Sequence, residues 1–352
     1  MKLFFRESQG QTLIEYGLLL GVLVLVLVVA LPGLRDSVLT VFAATSQDFN
    51  LVEGEVHPVE DPDPGEDPTE QPWFPPQLNL NDNQTLYTNG DIYLTGSAAV
   101  NGNVVTNGSV ITRGRSGVEG ELTEYAGYPY HFPLPVFPNI VSDSFPNKGN
   151  FDAPWWPPVE EAITEDAYYP TFDIKKSVVI DTGAEGEVRT LVIDHLTTGG
   201  TGDIYVQGSG KLVIVINETF NFHGDSSFNP TGLPDSAIVY YRGTEDFEFG
   251  GAQAFTGNIY LEKANLNLRG SSSNAGNIIV GGDEVTVHGG GGTRLIDSLL
   301  YAPLAHVTLT GSADLQGKVV ADTVEIQGAA HIDYGPVSVS EDFYWDPFLE
   351  GE

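Results

Sequence analysis

A unit of about twenty residues recurs through the second half of the chain: a short apolar strand, a turn, a second strand and a closing glycine. Gly257-Asn258-Ile259-Tyr260-Leu261 leads to Leu266-Asn267-Leu268-Arg269-Gly270, and Gly276-Asn277-Ile278-Ile279-Val280 leads to Val285-Thr286-Val287-His288-Gly289. Asp297 to Tyr301 leads to Val307-Thr308-Leu309-Thr310-Gly311, and Gly317-Lys318-Val319-Val320 leads to Val324-Glu325-Ile326-Gln327-Gly328. Earlier copies begin at Gly210 and Asp235. One unit cannot bury its alternating Ile, Val, Leu and Phe alone. Successive units must stack, about 4.8 Å apart, around a shared core. This predicts a mainly β fold, a right-handed parallel β-helix over 173–340. A β-sandwich of hairpins is the alternative.

A second period stands upstream. Glycines at 90, 96, 102, 108, 114 and 120 are six apart, with short alternating segments between them. These are read as first β repeats over 86–124. Between the two β parts, 125–172 holds 12 aromatic residues and nine prolines, among them Tyr128-Pro129-Tyr130 and Trp155-Trp156-Pro157-Pro158. That proline density reads as an extended loop, laid over an end or a side of the β-helix to shield apolar surface. A glycan-binding strip formed by Tyr128, Tyr130, Trp155 and Trp156 is the competing expectation.

Charge and composition narrow the function. Lys and Arg number 15 against 48 Asp and Glu, a formal net charge of −33. Such a chain repels phosphates, so nucleic acid is not an expected partner. Without cysteine there is no disulfide, thiolate metal site or cysteine nucleophile. The seven histidines form no HxH or HExxH pair, and Gly199-Gly200-Thr201-Gly202-Asp203 departs from the repeating Ca²⁺-binding nonapeptide. Carboxylate pairs such as Glu160-Glu161, Glu245-Asp246 and Asp283-Glu284 fall in turns and loops. No metal, cofactor or catalytic residue is expected, and the chain is not read as an enzyme.

The first fifty residues are of another kind. Tyr16 to Leu34 is a nineteen-residue run without charge, preceded by Lys2 and Arg6. At about 1.5 Å per residue it can just cross a bilayer core of about 30 Å, and the basic residues would hold the short N-terminus in the cytoplasm. The apolar stripe continues past Leu34 through Val38, Val41 and Phe42. Glu15 stands at the mouth of the run, where a carboxylate costs roughly 2.5–3.5 kcal/mol if carried to the bilayer centre. From Glu53 to Pro72 follow eight acids and five prolines, read as a stiff, solvated spacer.

The string Gln9-Gly10-Gln11-Thr12-Leu13-Ile14-Glu15-Tyr16-Gly17 resembles the processing site of type IV-like prepilins of the Flp (tight-adherence) class. The resemblance covers about the first 45 residues. It implies cleavage by a prepilin peptidase between Gly10 and Gln11, and assembly with other pilin subunits through a helix. There Glu15 would pair with a neighbour's new α-ammonium, Tyr16 would complete the Glu-Tyr pair, and Pro32 would be the helix-kinking proline. Flp pilins are little more than this helix, so the large remainder points to a minor or tip-like subunit. The closing stretch from Leu299 to Tyr334 also resembles β-helical domains that follow pilin-like helices in bacterial surface proteins.

The expected organisation is therefore a leader at 1–10, a transmembrane and assembly helix at 11–48 and an acidic linker at 49–85. The β repeats, the aromatic segment and the β-helix follow, with a tail at 341–352. The expected role is a pilin-like subunit of a type IV or Flp-type pilus or pseudopilus, membrane-bound before assembly and at the cell surface after it. A stand-alone membrane-anchored adhesin and a carbohydrate-active enzyme are the alternatives, with a surface glycan as a possible ligand.

Overall fold

The structure, a computed structural model, describes residues 84–126, 134–155, 162–290 and 292–337. The leader, the apolar segment and the acidic spacer lie outside the described residues, as does the tail. Among the described residues no helix is long and apolar enough to cross a membrane.

The described chain is a parallel β-solenoid of about eleven turns. Every pairing between its strands is parallel, for example Asn258–Leu261 with Ile278–Val280, and Leu266–Gly270 with Glu284–Gly289. A sandwich of hairpins would need antiparallel neighbours, so that alternative is overturned. Each turn contributes strands to three faces. On the first face the inward positions of successive turns include Leu191, Ile214, Val239, Ile259, Ile278 and Leu300, stacked in one continuous core. On the other faces Phe220 stacks on Phe247 at 4.5 Å and Phe228 on Phe255 at 4.5 Å. Stacking like on like fills the same space in each turn, which is why the unit repeats.

The glycine closing each unit sits at one corner of the solenoid. Gly270, Gly289, Gly311 and Gly328 follow one another there, and Gly96 and Gly114 continue the column. Gly311 has φ +71, and a Cβ added to it would lie 2.5 Å from the carbonyl oxygen of Gly289. Both the left-handed backbone and the close approach demand glycine.

Two boundaries differ from the sequence reading. The repeats at 86–124 do not form a part of their own. Leu86 pairs with Val319, Ile92 with Val324 and Ala99 with His331, so this segment continues the solenoid beyond its C-terminal turn. The next turn follows eighteen residues later, Leu86 on Val104, Ile92 on Val110 and Ala99 on Gly117. Three six-residue intervals thus make one turn. In addition, strand Phe151–Ala153 and most of strand Ala167–Ile174 fall inside the stretch read as loop. Pro170 is accommodated because it lies at the bend between two faces, where Tyr169 and Thr171 pair with Ile193 and His195 and a missing N–H costs little.

From Leu134 to Phe145 the chain runs along the outside of the first face. Outward residues of that face are apolar (Val192, Val215, Tyr240, Tyr260 and Tyr301), and Leu134, Phe137, Ile140 and Phe145 pack on them. Phe137 meets Tyr240 and Tyr260 edge-on, with centroids 5.5 and 5.1 Å apart. Tyr260 donates a hydrogen bond to the Pro135 carbonyl, and Arg242 donates one to the Pro138 carbonyl at 2.9 Å. This strap makes the first face buried on both sides, which explains strands such as Ala237–Tyr241 with no polar alternation.

Candidate functional site

The ladder of the second face has one interruption. Among the described residues, Lys211–Asn221 and Phe247–Phe249 form no backbone pairing, although each pairs onward with its other neighbour. Rings bridge the gap below: Phe220 on Phe247, and Phe222 edge-on to Phe249 at 5.5 Å. Gln253 bridges it at one side, donating from Nε2 to the Phe222 carbonyl and accepting from the Gly250 amide, both at 2.6 Å. What remains open above is a cleft of about 740 Å³.

The cleft is lined by His223, Asp225, Thr244, Glu245, Asp246 and Glu248, with no Lys or Arg among its lining residues. Glu248 is drawn aside by an ion pair with Arg269 on the next turn. A hollow so rich in carboxylates accepts hydrogen bonds and attracts cations, and it repels acidic sugars. Of the sequence's carboxylate pairs, Glu245-Asp246 reaches this cleft. Asp283-Glu284 does not: both backbone amides there donate to Asn265 Oδ1 at 3.1 Å. Glu160-Glu161 lies outside the described residues.

A second polar cluster anchors the strap. Tyr168 and Asn217 both donate to the Asp194 carboxylate, and Arg242 donates to Asn217 Oδ1 at 3.1 Å. Arg242 also lies 5.5 Å from the Phe137 ring centroid. These residues occupy successive turns, so their chain of hydrogen bonds runs along the axis, and its role is structural.

The candidates read from the sequence are dispersed. Trp155 is 55% exposed, and a Cβ on Gly200 would stand 2.5 Å from its ring. The ring therefore lies over a glycine at the edge of a turn. Tyr128, Tyr130 and Trp156 are outside the described residues, as are Gly10, Gln11, Glu15, Tyr16 and Pro32. Asp203, the acid of the glycine-rich stretch, accepts from the Ser227 amide at 2.9 Å and from the Ser227 hydroxyl at 2.5 Å, a link between turns. The histidines among the described residues are spread over separate turns: His195 contacts Glu218 at 3.2 Å, and His288 shares a hydrogen bond with Thr310 at 2.7 Å.

One cluster went unread. Asp314, His331 and Asp333 bring one ligand atom each within 4.8 Å of one another. Its signal was present: His331 and Asp333 are two apart on a strand, which places both on one face, and Asp314 precedes by one turn. Neither a histidine pair nor an HExxH motif marks it.

Residues 159–282 match DUF7305, a domain of unknown function. The matched stretch corresponds to the solenoid from Ile163 to the turn after Val280, and includes the interrupted ladder and its cleft. No curated protein and no solved structure matches the chain.

Proposed function

We infer that the chain is a pilin-like subunit, minor or tip-like, whose N-terminal helix enters a type IV or Flp-type pilus or pseudopilus. In this reading a prepilin peptidase cuts between Gly10 and Gln11, the segment 11–48 spans the membrane and then packs with other subunits, and the acidic solenoid stands outside the cell. The carrying observation is the coincidence of leader, Gly10, Glu15-Tyr16 and the uncharged run Tyr16 to Leu34 in one N-terminus. A chain with 48 acids and no cysteine, closed into stacked hydrogen-bonded turns, suits display without disulfides. Its coil is taken as right-handed, the hand of about 98% of parallel crossovers. The role is display and adhesion, with no catalytic step assigned.

Mass spectrometry after coexpression with a prepilin peptidase tests the reading. A mature chain beginning at Gln11 is expected, and one beginning near Thr45 overturns it. Glu15→Ala should leave insertion and cleavage intact and reduce incorporation into filaments. Unchanged assembly removes the pairing role. A second reading, glycan recognition at the strap's far end, rests on the exposed Trp155 ring. Loss of binding on a glycan array in the Trp155→Ala, Trp156→Ala double variant, with unaltered melting, would establish it.

A further inference from the structure

Strand His331–Tyr334 lies between Asp314–Gly328 and Ala99–Asn101, at the seam where the C-terminal turn meets the N-proximal ones. Ile332 is buried in the core, so His331 and Asp333 face outward on either side of it. Register places Asp314 directly beside His331. His331 Nε2 is 3.3 Å from Asp314 Oδ1 and 3.5 Å from Asp333 Oδ2.

Those separations are long for a charge-assisted hydrogen bond, which spans about 2.7–2.9 Å. They match the edge of a ligand tetrahedron around an ion: bonds of about 2.0–2.1 Å to nitrogen and oxygen give edges of about 3.3–3.4 Å. The groups behind the ligands point the same way. His331 Nδ1 faces the Ala329 carbonyl at 3.4 Å, which favours a proton there and turns the Nε2 lone pair toward two carboxylates. A lone pair and two carboxylate oxygens converging on one point form a seat for a cation. The remaining Asp333 oxygen accepts from Asn101 Nδ2 at 2.5 Å, and the remaining Asp314 oxygen lies 3.7 Å from Arg294 Nε. Asn101 thus holds Asp333 by the oxygen it does not offer, and Arg294 stands beside the corresponding oxygen of Asp314.

The geometry points to a divalent transition-metal site, of the zinc type, formed by His331 Nε2, Asp314 Oδ1 and Asp333 Oδ2 and completed by water. One nitrogen and two carboxylate oxygens suit zinc better than Ca²⁺ or Mg²⁺, which take six or more oxygen ligands. The ion ties two successive turns together and, through Asn101, secures a third.

The test uses the full-length chain in detergent, stripped with a chelator and titrated with Zn²⁺, Ca²⁺ and Mg²⁺ by calorimetry. Co²⁺ serves as the spectroscopic probe. The wild type should bind one Zn²⁺ at this site, melt at a higher temperature with Zn²⁺ and give tetrahedral Co²⁺ bands in the visible. His331→Ala should lose the bands and the Zn²⁺-dependent shift while keeping the same far-ultraviolet dichroism. Asn101→Ala should weaken Zn²⁺ by about 10–100-fold, as loss of an outer partner does. Equal Zn²⁺ binding and equal Co²⁺ spectra in the wild type and His331→Ala overturn the proposal. So does an absence of both in the wild type, which would leave His331 beside two aspartates with no ion between them.

Discussion

Leu86 and Val319 are neighbours in one parallel ladder, although they lie near opposite ends of the described chain. The same junction brings Ile92 beside Val324 and Asn101 beside Asp333. The solenoid is therefore closed by its own beginning, and an N-proximal turn covers the edge that the C-terminal turn would otherwise present to solvent.

A disulfide checks this junction directly, because the chain has no cysteine of its own. Thr95 and Gln327 are register partners across it. Strands in a sheet lie about 4.8 Å apart, within the Cα separation of about 4.4–6.8 Å that a disulfide accepts. Thr95→Cys with Gln327→Cys should oxidise to a species of altered mobility on a non-reducing gel. Thr95→Cys with Thr256→Cys, several turns away, should not. Equal cross-linking in both would contradict the register.

A glycine in the corner column and one outside it should respond differently to substitution. Gly311→Ala meets φ +71 and the Gly289 carbonyl oxygen at 2.5 Å, and should cost about 1–2 kcal/mol from the backbone conformation alone, with more from the clash. Gly117→Ala has nothing within 4 Å of the new methyl and should be neutral within about 0.5 kcal/mol. Urea unfolding of the two variants distinguishes them, and equal midpoints would refute the close-approach argument.

The strap is predicted to stabilise the first face. Phe137 covers Tyr240 and Tyr260, so Phe137→Ala should lower stability by about 1.5–3 kcal/mol and speed protease cleavage within 134–146. A variant that melts and resists proteolysis like the parent would show that the strap contributes nothing.

Alkaline pH should open the same face. Burial raises the Tyr241 phenol to about 12, and it raises Tyr240, Tyr260 and Tyr301 as well. In the unfolded chain tyrosine titrates near about 10. A folded value above the unfolded one means that the stabilisation is complete below about pH 10 and is lost as pH rises toward the folded values. Thermal midpoints should hold steady to about pH 10 and fall steeply above it, and Tyr240→Phe should flatten the fall. Tyrosinate absorbance growing smoothly from pH 9, without loss of structure, would contradict the burial.

Much of the solenoid was legible in the sequence because stacking repeats its demands. Gly270, Gly289, Gly311 and Gly328 close successive units, and the strands before them are those read from the pattern. What the pattern does not encode is which free edge a turn will meet. The strands at Gln84–Thr88 and Ile92–Gly96 look alike whether they start a solenoid or end one. The outward Tyr240, Tyr260 and Tyr301 needed the strap before their lack of polar alternation made sense. At the sites, pairs of histidines or carboxylates show along the chain, whereas Asp314 and His331 meet across a turn. The cleft arises from a pairing that fails to form, and an absent ladder leaves no mark on composition.

The closure also sets a schedule. A ribosome makes 84–119 well before 314–334, yet the two must abut. These turns lack the neighbour they pair with until the C-terminal turn of the solenoid has emerged. Maturation of the domain therefore waits on its final strand, and a chain halted short of residue 334 is left with an orphaned first lap.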